Sequence, residues 1–189
     1  WHYLYVRHIA DGRGLPVQDP RGYGETIAQH EAAQAPLYYL VSGLLTSGIP
    51  TTDPAIAFVE NPQASLGNAS TPDNKNRFIH PPAEDYLLAD NPLAQRIARL
   101  VSAVFGVLTI WFTGLIALKL RPGNVAFASL AAGLVAFNPQ FIFTGATVTN
   151  DSSVAFSGSL LLFCIVGLWN DPPSRRWAIA LGASVGIAF

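Results

Sequence analysis

Two short polar stretches carry the side chains that could do chemistry. The first, His30-Glu31-Ala32-Ala33-Gln34-Ala35-Pro36-Leu37-Tyr38-Tyr39, runs from charged and amide groups directly into an apolar helix. His30 offers a cation or a metal ligand, Glu31 its partner, and Gln34 neutral hydrogen bonds. His30 and Glu31 are therefore the candidate pair for a divalent metal ion, and no other cofactor is implied. The second stretch, Asn150-Asp151-Ser152-Ser153, opens an apolar helix. A carboxylate at the mouth of a membrane helix is costly to desolvate and often functional, although Asp151 serves equally well as a plain N-cap. His80-Pro81-Pro82 with Glu84 and Asp85 forms a weaker cluster, without a further ligand on a defined element.

These groups need elements to position them. From Ala35 onward Leu37, Leu40, Val41, Leu44 and Leu45 recur at helical spacing, Pro36 suits a first turn, and Gly48 and Pro50 stop the pattern. A helix near residues 35–47 is too short to cross a hydrocarbon core of about 30 Å, so it is expected in the membrane interface, with Tyr38 and Tyr39 as interfacial anchors. A second such helix is expected near residues 1–11, with Trp1, Leu4, Tyr5 and Ile9 near one face and Arg7 and His8 available to water or lipid phosphate. Between Gly48 and Pro92 the chain is rich in Pro, Asn, Asp and Ser, the composition of a long loop. Asn68-Ala69-Ser70 in that loop is a formal glycosylation acceptor.

The second half reads as membrane. Spans are expected near residues 97–120, 125–147, 153–169 and 177–189, the last cut short by the end of the chain. Asn138-Pro139 interrupts the second and is expected to kink it. Lys119 and Arg121 lie in the first tight turn and Arg175 and Arg176 in the third. The positive-inside rule makes both turns cytoplasmic, which puts residues 1–95 and the Asn150 connector on the opposite face. The expected architecture is all-α and multi-pass, with a long extracytoplasmic loop over residues 1–96 that carries two juxtamembrane helices.

Composition agrees with that division. Half the residues are hydrophobic and only 12% are charged, and the mean hydropathy is +0.32, high for a soluble domain. The net charge of −1 leaves no basic footprint for nucleic acid. The single cysteine, Cys164, lies in an apolar run and is expected to pack within the membrane. The chain opens at Trp1, contains no Met and closes within an apolar run, so it reads as part of a longer protein.

The order of Trp1-His2-Tyr3, a loop, Gln34-Ala35-Pro36-Leu37-Tyr38-Tyr39, an Arg-led span from Arg96 to Leu120 and a later Asn150-Asp151-Ser152 resembles the amino-terminal part of GT-C type polyprenyl-phosphate-sugar glycosyltransferases. The nearest likeness is to glycosyltransferase family 39, which includes protein O-mannosyltransferases and aminoarabinose transferases. The resemblance implies inverting transfer of a sugar from a polyprenyl-phosphate donor to an extracytoplasmic acceptor. The protein would sit in the cell membrane of a bacterium, or in the endoplasmic reticulum of a eukaryote. It also implies that a Pro-Pro-Leu-like segment near the membrane helps bind the lipid phosphate. Here the matching segment is Gln34-Ala35-Pro36-Leu37, without its basic residue and first proline, so His30 or Arg7 is expected to compensate. Asp151-Ser152 matches the family's Asp-Ser or Asp-Pro at the mouth of a later helix, implicated in the same polar pocket. The family's general base is an Asp in an Asp-Glu pair just before the first aromatic helix. That pair would precede Trp1, so residues 1–189 are expected to lack the base and to be inactive alone.

Such chemistry needs a carboxylate to take the acceptor proton and cations or metal to hold the departing phosphate. The expected substrate-binding set is therefore Arg7, His30, Glu31, Gln34, Tyr38, Asn150 and Asp151, with polyprenyl-linked sugar and membrane lipid as partners. A non-catalytic multi-pass scaffold or a transporter segment is the alternative. A transporter should show charged or broken helices near mid-membrane, and only Asn138-Pro139 hints at a break.

Overall fold

The computed structural model describes residues 1–17, 28–52, 60–64, 79, 90–170 and 174–188. Among these residues there are seven α-helices and one 3-10 turn, and no strand. The helices are α1 (His2–Ala10), α2 (Leu37–Thr46), α3 (Asp90–Leu120), α4 (Val125–Ala136), α5 (Pro139–Gly145), α6 (Asp151–Asn170) and α7 (Arg175–Ala188), and Gln29–Ala33 forms the 3-10 turn. The His80 to Asp85 cluster and the Asn68 acceptor fall outside the described residues.

α3 organises the molecule. At 1.5 Å per residue its 31 residues span about 46 Å, well beyond a hydrocarbon core of about 30 Å. The helix starts at Asp90, earlier than the expected span, and its first turns serve as a platform for the amino-terminal segment. Asp90 adopts φ +57, a left-handed backbone that Asp tolerates. Its carboxylate accepts from the backbone N–H groups of Thr52 and Asn91, each at 2.7 Å. Asn91 in turn donates to the Thr52 carbonyl at 3.0 Å and accepts from the Tyr3 hydroxyl at 2.6 Å. One pair of short polar residues thus ties α1 and the chain after α2 to the start of α3.

α1 and α2 pack side by side on that platform. Gly43 allows the close approach: a Cβ there would lie 2.6 Å from Ile9 Cγ2 and 3.2 Å from the Val6 carbonyl oxygen. The packed face of α2 consists of Tyr38, Tyr39, Ser42, Gly43 and Thr46, whereas Leu40, Leu44 and Leu45 point outward. Leu44 is 75% exposed. The helix is therefore inside out relative to one in a water-soluble core, and its leucine face suits an apolar surrounding. The structure corrects the expected placement of Tyr38 and Tyr39. Both are 0% exposed and belong to the core cluster with Tyr5, Val6, Val101 and Phe105, so they are not interfacial anchors.

α3 and α6 run parallel. Their aromatic side chains form a ladder with one rung per two turns: Phe105 to Phe156, Phe156 to Phe112 and Phe112 to Phe163 have centroids 5.4, 5.9 and 5.2 Å apart. Phe163 continues to Trp177 at 5.4 Å, which brings α7 onto the far end of α6. There Lys119 Nζ sits 4.3 Å above the Trp177 ring, and the Asn170 amide donates to the Lys119 carbonyl at 3.3 Å. Cys164 is buried in this bundle.

The return from α3 to α6 passes through α4 and α5, which meet at a bend of 65°. Pro139 has no N–H to continue α4, and the Asn138 side chain caps the new helix, accepting from the N–H groups of Gln140 at 2.9 Å and Phe141 at 3.2 Å. The expected kink is thus a full break whose freed donors are satisfied by Asn138 itself. α3 and α6 are each long and apolar enough to cross a membrane, and the bent pair makes a third if it counts as one span. This is an all-α membrane protein. α7, with 14 residues, covers only about 21 Å.

Candidate functional site

The two polar stretches singled out in the sequence meet at one end of the bundle. Asn150 donates its side-chain amide to Gln34 Oε1 at 2.6 Å, a bond between residues 116 positions apart. Asn150 is 2% exposed, and its own Oδ1 is buried with no hydrogen-bond donor among the described residues. A buried amide oxygen without a donor costs about 1–3 kcal/mol, so this atom marks a place where a donor from outside the chain would be welcome.

Tyr38 fastens the same junction from the α2 side. Its hydroxyl donates to the Ala98 carbonyl at 2.9 Å. The Ser102 hydroxyl lies 3.1 Å from the Tyr38 oxygen and donates to the Thr147 carbonyl at 2.7 Å. α2, α3 and the connector before α6 are thereby held by two hydroxyls. Burial pushes the Tyr38 phenol up, against smaller opposing effects from the Ser102 hydrogen bond and the Arg99 charge. A neutral phenol is the form that can donate to Ala98, so burial and hydrogen bonding agree.

Glu31 sits on the other side of this junction, 5% exposed. Its Oε2 is 3.4 Å from His2 Nδ1, which also lies 2.7 Å from the Tyr39 hydroxyl. The Tyr39 ring is stacked on Tyr5 at 3.8 Å between centroids. Burial first, and then the Glu31 charge, push the Tyr39 phenol far above its ordinary range. His2, absent from the expected set, is thus a member of the cluster. The Trp1-His2-Tyr3 motif was its only signal in the sequence.

Asp151 opens α6 without capping it. The capping work is done by Thr149, whose hydroxyl accepts from the Asp151 N–H at 3.2 Å, and by the Asn150 carbonyl, which accepts from the N–H groups of Ser153 and Val154 at 2.9 and 3.0 Å. The Asp151 carboxylate is exposed and faces a cavity of about 320 Å³. Polar lining comes from Asn138, Gln140, Thr144, Asp151 and Ser152; Gly106, Phe141, Gly145 and Ala155 complete the wall. The cavity therefore lies between α3, α5 and α6, and the break at Pro139 is what turns α5 toward it.

The remaining expected residues fall elsewhere. Arg7 is 4% exposed, and its guanidinium donates to Asp11 at 2.5 Å and to the Thr46 carbonyl at 3.3 Å. Thr46 is two turns of α2 beyond Tyr38, about 12 Å along the axis, so Arg7 closes the far end of the α1–α2 pair. His30 has its backbone in the 3-10 turn beside Glu31, and its side chain lies outside the described residues. No group of three His, Cys, Asp or Glu residues forms among the described residues. Arg99, on the exposed side of α3, is a cation whose charge is felt at Tyr38. In the sequence it looked like no more than the charged start of a span.

With this geometry in view, comparison with known families is decisive. A sequence model of the family described as dolichyl-phosphate-mannose-protein mannosyltransferase matches residues 81–189. The chain belongs to that family. No curated protein and no solved structure matches it. The stretch matched by this mannosyltransferase family includes α3 to α7, the cavity and Asn150-Asp151, while Arg7, His30, Glu31, Gln34 and Tyr38 precede it. At the level of the family the protein is a mannosyltransferase-type glycosyltransferase of the membrane. Membership favours that reading over the scaffold or transporter.

Proposed function

We propose that this protein, as part of its complete chain, transfers a sugar from a polyprenyl-phosphate donor to a hydroxyl acceptor on the extracytoplasmic side, with inversion. The acceptor oxygen attacks the anomeric carbon, the bond from that carbon to the phosphate oxygen breaks, and the phosphate leaves with the electron pair. A carboxylate base takes the acceptor proton. No residue of this chain is assigned to that role.

The reading is carried by one observation. The Gln34–Asn150 bond joins the amino-terminal segment to the mouth of α6, beside a cavity that holds the Asp151 carboxylate. In the proposed reaction Asp151 accepts hydrogen bonds from substrate hydroxyls, and Asn150 Oδ1 accepts one more. Gln34 and Tyr38 keep the connector in place. Phosphate is held by cations at the same end, for which Arg99 and His30 are the candidates, with Arg7 fixing the α1–α2 pair behind them.

The test is Asp151→Asn in the complete protein, which keeps the size of the side chain and removes its charge. Loss of a charged hydrogen bond of about 1.5–3 kcal/mol predicts a fall in kcat/KM of roughly 10- to 100-fold for sugar transfer from a polyprenyl-phosphate donor. Unchanged transfer would remove Asp151 from the site.

A further inference from the structure

The cavity beside Asp151 has an unusual charge balance for a site of phosphate chemistry. Among the described residues its lining contains one carboxylate, two amides and two hydroxyl side chains, and no Lys, Arg or His. A phosphate entering it would meet a negative charge and no compensating cation. A neutral polyol would meet a carboxylate able to accept from two hydroxyls, faced by the Gln140 amide, able both to donate and to accept. The volume of about 320 Å³ amounts to about ten waters at roughly 30 Å³ each, room for a single sugar ring.

Two helices aim the polar groups at one another. Gln140 and Thr144 are four residues apart on α5 and share a face, as do Asp151 and Ala155 on α6. All four line the cavity. The Asn138 side chain is occupied as the cap of α5, whereas the Gln140 side chain makes no hydrogen bond within the described residues and is exposed. Gln140 is therefore the amide free to read a ligand.

We infer that this cavity is a subsite for an uncharged sugar ring, read by Gln140 on α5 opposite Asp151 on α6, and that the phosphate of a lipid-linked donor is held outside it. The inference rests on the proposed glycosyltransferase reading for its biological meaning, although the cavity chemistry stands without it. Gln140 acts here as a specificity residue, and it discriminates a neutral ring from a phosphorylated one because no cation among the described residues shares the cavity.

The experiment uses the complete protein in lipid nanodiscs and measures saturation transfer to methyl mannoside, with inorganic phosphate as competitor. The wild type should give a mannoside signal that phosphate does not displace. Gln140→Leu, a change at an exposed side chain that leaves the fold intact, should reduce the signal at least fivefold, and Gln140→Lys should make it sensitive to phosphate. A mannoside signal unchanged in Gln140→Leu, or one displaced by phosphate in the wild type, would overturn the inference. Sugar transfer from a polyprenyl phosphate, assayed in the same preparations, separates the two readings. Transfer without an effect of Gln140→Leu on mannoside sinks only the subsite, whereas mannoside binding without transfer sinks only the proposed reaction.

Discussion

Gln34 and Asn150 form the smallest unit on which the site depends. Removing one partner leaves the other with an unmet group, so Gln34→Ala, which orphans the buried Asn150 amide, should cost about 1–3 kcal/mol. Asn150→Ala should cost less, since the Gln34 it leaves behind is only half-buried. The double variant should cost less than the sum, because the second truncation no longer leaves an orphan. Thermal denaturation in detergent of the four proteins checks this, and strictly additive losses would show that the two amides do not hold each other. Tyr38→Phe removes the hydroxyl that bridges Ala98 and Ser102. It should cost about 1 kcal/mol, while Ser102 keeps its bond to Thr147. The sequence named Gln34, Tyr38, Asn150 and Asp151 as neighbours in chemistry. It could not show that Arg7 is consumed by Asp11 and Thr46, because a hydrogen bond to a carbonyl 39 residues away leaves no trace in residue type.

At the scale of elements, two glycines set helix spacing. Gly43→Ala would drive a Cβ against the branched carbon of Ile9, a contact that no rotamer change relieves. A loss of about 1–3 kcal/mol is expected, recovered only in part by Ile9→Ala in the same protein, which removes the Cγ2 contact but keeps the Cβ 2.9 Å away. Full stability of Gly43→Ala alone would mean that α1 and α2 are farther apart than described. Gly167 plays the same part between α6 and α7, where a Cβ would lie 2.5 Å from the Trp177 ring. The break at Asn138-Pro139 works differently, through capping. Asn138→Ala should cost about 0.5–2 kcal/mol and loosen α5, and with it the face that carries Gln140. Amide hydrogen exchange over residues 139–145 should rise in that variant. Element types were legible because apolar periodicity, Pro139 and the glycines are local signals. The inward face of α2 was not. In the sequence Tyr38 and Tyr39 look like interfacial anchors, yet the close approach at Gly43 packs the face that carries them, with Ser42 and Thr46, against α1 and α3.

At the scale of the molecule, the polar site and the basic end are separated by the length of a membrane core. Ser102 marks the site and Lys119 the other end, 17 residues along α3 and about 26 Å apart. We propose that the site faces the extracytoplasmic side and the Lys119 end the cytoplasm. Ser47→Cys, exposed beyond α2, and Ser174→Cys, ahead of α7, should then label from opposite sides of sealed vesicles. Cys164, 2% exposed, should stay silent as background. Labelling of both from one side would refute the topology.

Composition and pattern by themselves determined that the chain is helical and membrane-bound, and which short motifs carry polar chemistry. These are local properties: hydropathy, periodicity and turn residues act over a few positions. Tertiary structure alone decided that Gln34 meets Asn150, that His2 joins Glu31 and Tyr39, that Tyr38 and Tyr39 are core, and that α5 turns Gln140 toward Asp151. Each of these follows from how helices stack around α3. Glycine contacts and buried hydrogen bonds between distant residues fix that stacking, and such partners are specified jointly by the whole chain.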